Sequence, residues 1–96
     1  MKAAELKDKV SPLDFYDREI GLQGRGSRAT GWMDGGLCPF HSDSQRGNFR
    51  VHLESGAFRC FACGVGGGDI IKFVEIKESV SFLGAMKKIA AEWRLG

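Results

Sequence analysis

No stretch of this sequence approaches the roughly 20 consecutive apolar residues that cross a bilayer. Residues 1–10 are charged and carry no apolar h-region, so no secretory leader is expected. These two lacks argue against a membrane span and point to a cytoplasmic protein. Cysteine is scarce, at 3 residues, and an odd count leaves one over in any disulfide framework. In a reducing cytoplasm, clustered thiols are more often metal ligands than disulfides. Net charge is low at +2, from 14 basic and 12 acidic residues; this permits nucleic-acid binding without requiring it. There is no internal repeat and no low-complexity tail. With 96 residues the chain has room for one small domain, of the size that often needs a metal or a disulfide as a staple.

Glycine, by contrast, is abundant. The 14 glycines cluster at 21–36 and 64–68, where turns and close backbone approaches are expected. Ser11-Pro12 reads as a helix N-cap followed by proline in the first turn, with Leu13, Phe15, Tyr16 and Ile20 at helical spacing and Gly21 as the stop. Residues 22–31 have no apolar period and read as a mobile basic loop, and 32–37 as a short, glycine-broken strand. Residues 49–54 alternate, with Phe49, Val51 and Leu53 on one face and Arg50, His52 and Glu54 on the other. A two-residue Ser55-Gly56 turn would return the chain through 57–61, pairing Leu53 with Phe58, His52 with Arg59 and Val51 with Cys60. The solvent face would then carry Arg50, His52, Arg59 and Phe61. Asp69 is the expected N-cap of one helix, and Ser79 or Ser81 that of a second. Phe82, Met86, Ile89, Ala90 and Trp93 fall on the apolar side of that second helix, and Phe82, Met86 and Ile89 are expected to join Phe73 in the core.

The chemistry lies in two short pairs. Cys38-Pro39-Phe40-His41 is C-x2-H and Cys60-Phe61-Ala62-Cys63 is C-x2-C, with 18 residues between the pairs. Two intervening residues let a single tight turn aim both side chains at one ion. Three thiolates and one imidazole make the closed tetrahedral shell of structural zinc, and no position is left for the water that metal-assisted hydrolysis needs. His52 is a rival fourth ligand. Its mid-strand place, facing away from the apolar set, fits an exposed sheet histidine better.

These residues also carry a family resemblance. Gly36-Leu37-Cys38-Pro39-Phe40-His41, Phe49-Arg50-Val51, the run from Gly56 through Cys60-Phe61-Ala62-Cys63 to Gly64, and Gly67-Gly68-Asp69-Ile70-Ile71-Lys72-Phe73-Val74 together resemble the zinc-binding domain of bacterial DnaG-type primases. The resemblance runs from about residue 5 to about residue 94 and includes the Asp14-Phe15-Tyr16 helix. It implies an α+β fold, a zinc ribbon with a small antiparallel sheet flanked by short helices. It also implies one structural Zn²⁺, a ribbon core at about 32–64, C-terminal helices at about 69–94, and one domain over 1–96. The loop at 42–48, with Arg46-Gly47-Asn48, and the glycine run at 66–68 each look one residue long for the family. In this the chain is similar to stand-alone fingers of plasmids, integrative elements and phages.

The functional expectation follows from both readings. Primases make primers with a separate Toprim domain whose carboxylates hold Mg²⁺; here the carboxylates are scattered and form no such set, so no catalytic residue and no enzyme activity are expected. Single-stranded DNA binders pair positive charge with aromatic platforms, and Arg50, His52, Arg59 and Phe61, with Arg46 on its loop, supply both. Arg25 and Arg28 form a secondary basic set, and Trp32 is either core or platform. The expected partner is single-stranded DNA, with the chain an accessory to replication and priming. The alternative is a protein-docking finger that recruits a separate primase, replicase or conjugation protein.

Overall fold

A computed structural model describes residues 2–22, 30–42 and 48–95. Four helices, α1 (Ala3–Lys9), α2 (Pro12–Ile20), α3 (Ile70–Glu78) and α4 (Phe82–Glu92), surround four strands, β1 (Trp32–Asp34), β2 (Phe49–His52), β3 (Phe58–Cys60) and β4 (Gly66–Gly67). The strands form one antiparallel sheet in the order β1-β2-β3-β4. The α+β architecture is the expected one. Arg25, Arg28 and Arg46 lie outside the described residues.

The helix ends obey local chemistry. The Ser11 hydroxyl accepts the Asp14 N–H, Asp69 accepts that of Lys72, and Ser81 accepts that of Gly84. Each satisfies a backbone donor that the first helical turn leaves orphaned. Ser81, not Ser79, caps α4; Ser79 is the left-handed residue that ends α3. α1 was not foreseen. It has no side-chain cap and buries only Leu6, so its sequence has no helical stripe to read. Tertiary contact holds it: Leu6 enters the core, and Lys7 Nζ lies 3.4 Å from the Asp69 carboxylate.

The hairpin corrects the expected register. Phe49 pairs with Cys60, Arg50 with Arg59 and Val51 with Phe58, two residues from the predicted pairing. The turn has four residues, not two. His52 N–H donates to Ala57 O and Gly56 N–H to His52 O, and Gly56 adopts φ +81°, which a side chain would resist. Leu53 therefore leaves the strand and sits half-buried in the turn. Because the slip is even, the faces survive: Phe49, Val51 and Phe58 point inward, Arg50 and Arg59 outward.

Phe73 on α3 is the hub of the core. Its ring meets Phe15 and Tyr16 of α2 at centroid distances of 5.6 and 5.2 Å, Phe58 of β3 at 5.4 Å and Phe40 at 5.2 Å. Tyr16 donates its hydroxyl to Gly56 O, tying the hairpin turn to α2. Burial, reinforced by the Asp69 carboxylate, raises that phenol above its ordinary range. α4 keeps the expected face at Met86, Ile89 and Trp93, adds Ala85 and loses Phe82. Ala85, Met86 and Ile89 are buried, whereas Phe82 is 45% exposed. Phe82 stands at the first turn, where α4 has only begun to approach the core. β4 was also missed, since two glycines offer no alternation. Gly67 is required sterically: a Cβ there would stand 2.9 Å from the Phe58 ring and closer still to the Lys72 stem.

Candidate metal centre and outer sheet face

Two turns at one end of the sheet hold the four predicted ligands. Cys38 and His41 belong to the loop after β1; Cys60 ends β3 and Cys63 follows in the turn toward β4. One ligand atom from each residue lies within 4.8 Å of all the others. The Cys60 Sγ to His41 Nδ1 distance is 4.0 Å. A tetrahedral zinc with Zn–S near 2.3 Å and Zn–N near 2.0 Å sets its ligand atoms about 3.5–3.8 Å apart, so the arrangement closes by up to about 1 Å around an ion. His52 stands elsewhere, and the rival assignment is excluded by its contacts below.

The backbone prepares the thiolates. Phe40 N–H points at Cys38 Sγ and Cys63 N–H at Cys60 Sγ, each at 3.5 Å. Without a cation, burial pushes the Cys38 thiol up to about 12, the Phe40 N–H working against that rise and Cys60 adding to it. Burial also raises Cys60, but the N–H groups of Cys63 and Ala62 and the neighbouring thiols outweigh it and leave that group below its usual range. Such a cluster of sulfur and imidazole donors, with Cys38 and Cys60 buried, His41 half-buried and Cys63 exposed, suits a soft, closed-shell cation. The ligand loop is anchored through Phe40, which inserts between Phe49, Phe58 and Phe73 at centroid distances of 5.2–6.0 Å.

On the other side of the sheet, the outward residues make a second constellation. Arg50 and Arg59 are direct cross-strand partners. The Arg59 guanidinium lies 5.5 Å over the Phe61 ring, and Phe61 is 66% exposed. Trp32 of β1 joins them, and Trp32, Arg50, Arg59 and Phe61 line a hollow of about 360 Å³. His52, half-exposed beside them, also has a structural part. Its Nδ1 accepts the N–H groups of Glu54 and Ser55, at 3.3 and 3.2 Å, and its ring meets Trp32 edge-on at 5.1 Å. The imidazole thus braces the turn and supports Trp32.

The zinc pairs, the ribbon and the helices agree with a known family, the CHC2 zinc finger of DnaG, whose profile matches residues 2–96. The chain belongs to this family. The primase of Thermotoga maritima is 35% identical over 86 residues, covering 90% of this chain and 14% of that protein. The primase of Aquifex aeolicus is 34% identical over 89 residues, covering 93% and 16%. The crystal structure of the Aquifex primase zinc-binding and RNA polymerase domains superposes with a TM-score of 0.75 and 31% identity, over 98% of this chain and 22% of that one. The chain therefore spans a small fraction of the length of the primases it matches.

For this CHC2 finger, Cys38, His41, Cys60 and Cys63 are placed to bind one zinc ion. Trp32 is the residue that sequence reasoning left open. The signal was its position: an aromatic two residues before the outward Asp34, on an edge strand whose inward residue is Met33. Trp93, by contrast, faces the core, stacked on Phe15 at 6.5 Å beneath the Arg18 guanidinium. Among the described residues no helix is long and apolar enough to cross a membrane.

Proposed function

We propose that residues 1–96 act as one zinc-stabilised DNA-binding module, contacting single-stranded DNA through the outer sheet face as an accessory to replication and priming. The supporting observation is the outer face itself: two directly paired arginines between an exposed phenylalanine and a tryptophan. Guanidiniums neutralise phosphates, and exposed rings stack on unpaired bases, each stack worth about 1–3 kcal/mol. Arg46 would add charge from its loop. The zinc in this reading is a staple with a closed shell and takes no part in chemistry. The module works in the cytoplasm, without catalysis of its own, and the loop at 42–48 favours a stand-alone finger of a mobile element.

One observation supports a second reading, a finger that docks on a separate primase or conjugation protein. Val80, Phe82 and Leu83 at the head of α4 are all exposed, Leu83 by 65%. Fluorescence anisotropy with a labelled single strand over a salt series separates the two. DNA contact through several arginines predicts affinity falling steeply with salt, and a pronounced loss in Arg50→Glu with Arg59→Glu. No binding at low salt would favour docking. Unchanged affinity in the double variant would move the contact to the loops.

A further inference from the structure

Trp32 and His52 are direct cross-strand partners on the outer sheet face. The Leu53 N–H donates to Gly31 O, one residue beyond the pair. Trp32 and His52 therefore occupy a non-hydrogen-bonded position of the ladder, where facing side chains stand closest. Their rings meet at 82° with centroids 5.1 Å apart. The imidazole is in turn held by the backbone. Its Nδ1 accepts the N–H groups of Glu54 and Ser55, which fixes the tilt of the ring and leaves its proton on Nε2. Beside it lies the bare Cα of Gly31, where a Cβ would come within 2.5 Å of Nε2. The turn that supplies the two N–H groups is itself anchored. Tyr16 donates to Gly56 O, and a Cβ on Gly56 would stand 3.0 Å from Ile70 of α3.

The order of the core thus reaches the outer face through Gly56, the turn and one imidazole. With Nδ1 engaged by two donors, that ring has no acceptor left for a base. A tryptophan free to turn loses rotamer freedom when a base stacks on it, whereas one already held does not. We propose that His52 is a positioning residue of the DNA face: it makes no contact with the strand and acts through Trp32, holding the indole ready for stacking. The inference rests on the DNA-binding reading above and names the residue that prepares its stacking surface.

The test uses the full zinc-loaded chain, a labelled oligo-dT and anisotropy over a salt series. His52→Asn places an acceptor oxygen near the Nδ1 position, so it keeps the turn and removes the ring. It should weaken binding about three- to tenfold, the cost of immobilising one free side chain. The salt dependence should keep its slope, because no phosphate contact is lost. In a Trp32→Ala background the same substitution should change nothing further, since His52 then has no ring to position. His52→Phe keeps a ring against Trp32 and gives up the tether, and should bind more tightly than His52→Asn. In ¹⁵N relaxation the Trp32 indole should become more mobile in His52→Asn, and that of Trp93 should not. Zinc content and circular dichroism confirm that each variant is folded. A loss of the same size with and without Trp32 would mean that His52 touches DNA itself, and would overturn the proposal. Wild-type affinity in His52→Asn, or tighter binding by it than by His52→Phe, would also overturn it. So would wild-type affinity in Trp32→Ala, which would put the DNA contact elsewhere on the chain. Failure of the strand to bind at low salt would instead strike the DNA-binding reading itself, and the proposal with it.

Discussion

Removing zinc should unfold this protein, not merely loosen one loop. Structural zinc in small fingers supplies about 10–16 kcal/mol of apparent folding free energy at neutral pH. A folded chain of 96 residues has a net stability of only about 5–14 kcal/mol. The metal term is thus comparable to the whole margin. The structure explains why the loss would spread. Cys60 is a strand residue paired with Phe49, and Phe40 of the ligand loop packs on Phe73, so the metal end and the helical core share side chains. Far-UV circular dichroism melts before and after chelation, with released zinc measured by an indicator dye, would show the cooperative transition vanish or fall by tens of degrees. An unchanged melt after confirmed release would refute the reasoning. The pH dependence has a defined sign. Bound zinc requires thiolates and a neutral imidazole, so the unfolded chain binds more protons than the loaded fold below about pH 8.5, the ordinary thiol value. Stability of the loaded fold therefore rises with pH up to that point. The Cys38 thiol, held up to about 12 in the metal-free fold, is among the protons that loading must expel.

Three substitutions test the supporting structure. Phe40→Ala removes the ring that docks the ligand loop on the core; it should cost about 2–3 kcal/mol and speed zinc loss to a chromogenic chelator. An unaltered release rate would show that the loop is held by the metal alone. Tyr16→Phe leaves the Gly56 carbonyl without its donor and should cost about 1–3 kcal/mol in urea denaturation of the zinc-loaded protein. Asp69→Ala deletes the α3 cap and the Lys7 pair, and should lower the urea midpoint by the equivalent of about 1–2 kcal/mol, with little change in zinc content.

The parts of this fold that were legible in the sequence are those governed by local rules. Ser11, Asp69 and Ser81 cap their helices because a short side-chain oxygen suits that position in any context. The zinc ligands were legible because two pairs at matched spacing have few other uses. What failed depended on tertiary partners. The hairpin slipped by two because Ser55-Gly56 is a plausible turn alone, whereas the four-residue turn is favoured by Tyr16, distant in sequence, and by the His52 imidazole. α1 exists because Leu6 and Lys7 find partners in the rest of the fold, and β4 because its glycines fit beneath Lys72 and beside Phe58. Trp93 was legible as a core residue from its place on the apolar side of α4, and its stacking on Phe15 bears this out, whereas Trp32 was left open and only the sheet register puts it on the outer face.

That difference supplies the most direct test of the account. The two indole N–H groups give separate signals in a ¹H–¹⁵N correlation spectrum, one reporting the outer sheet face and the other the core. Single-stranded DNA titrated into the zinc-loaded protein should move the Trp32 signal progressively and leave that of Trp93 in place. Movement of Trp93 with Trp32 unaffected would contradict the assignment of the outer sheet face as the DNA surface.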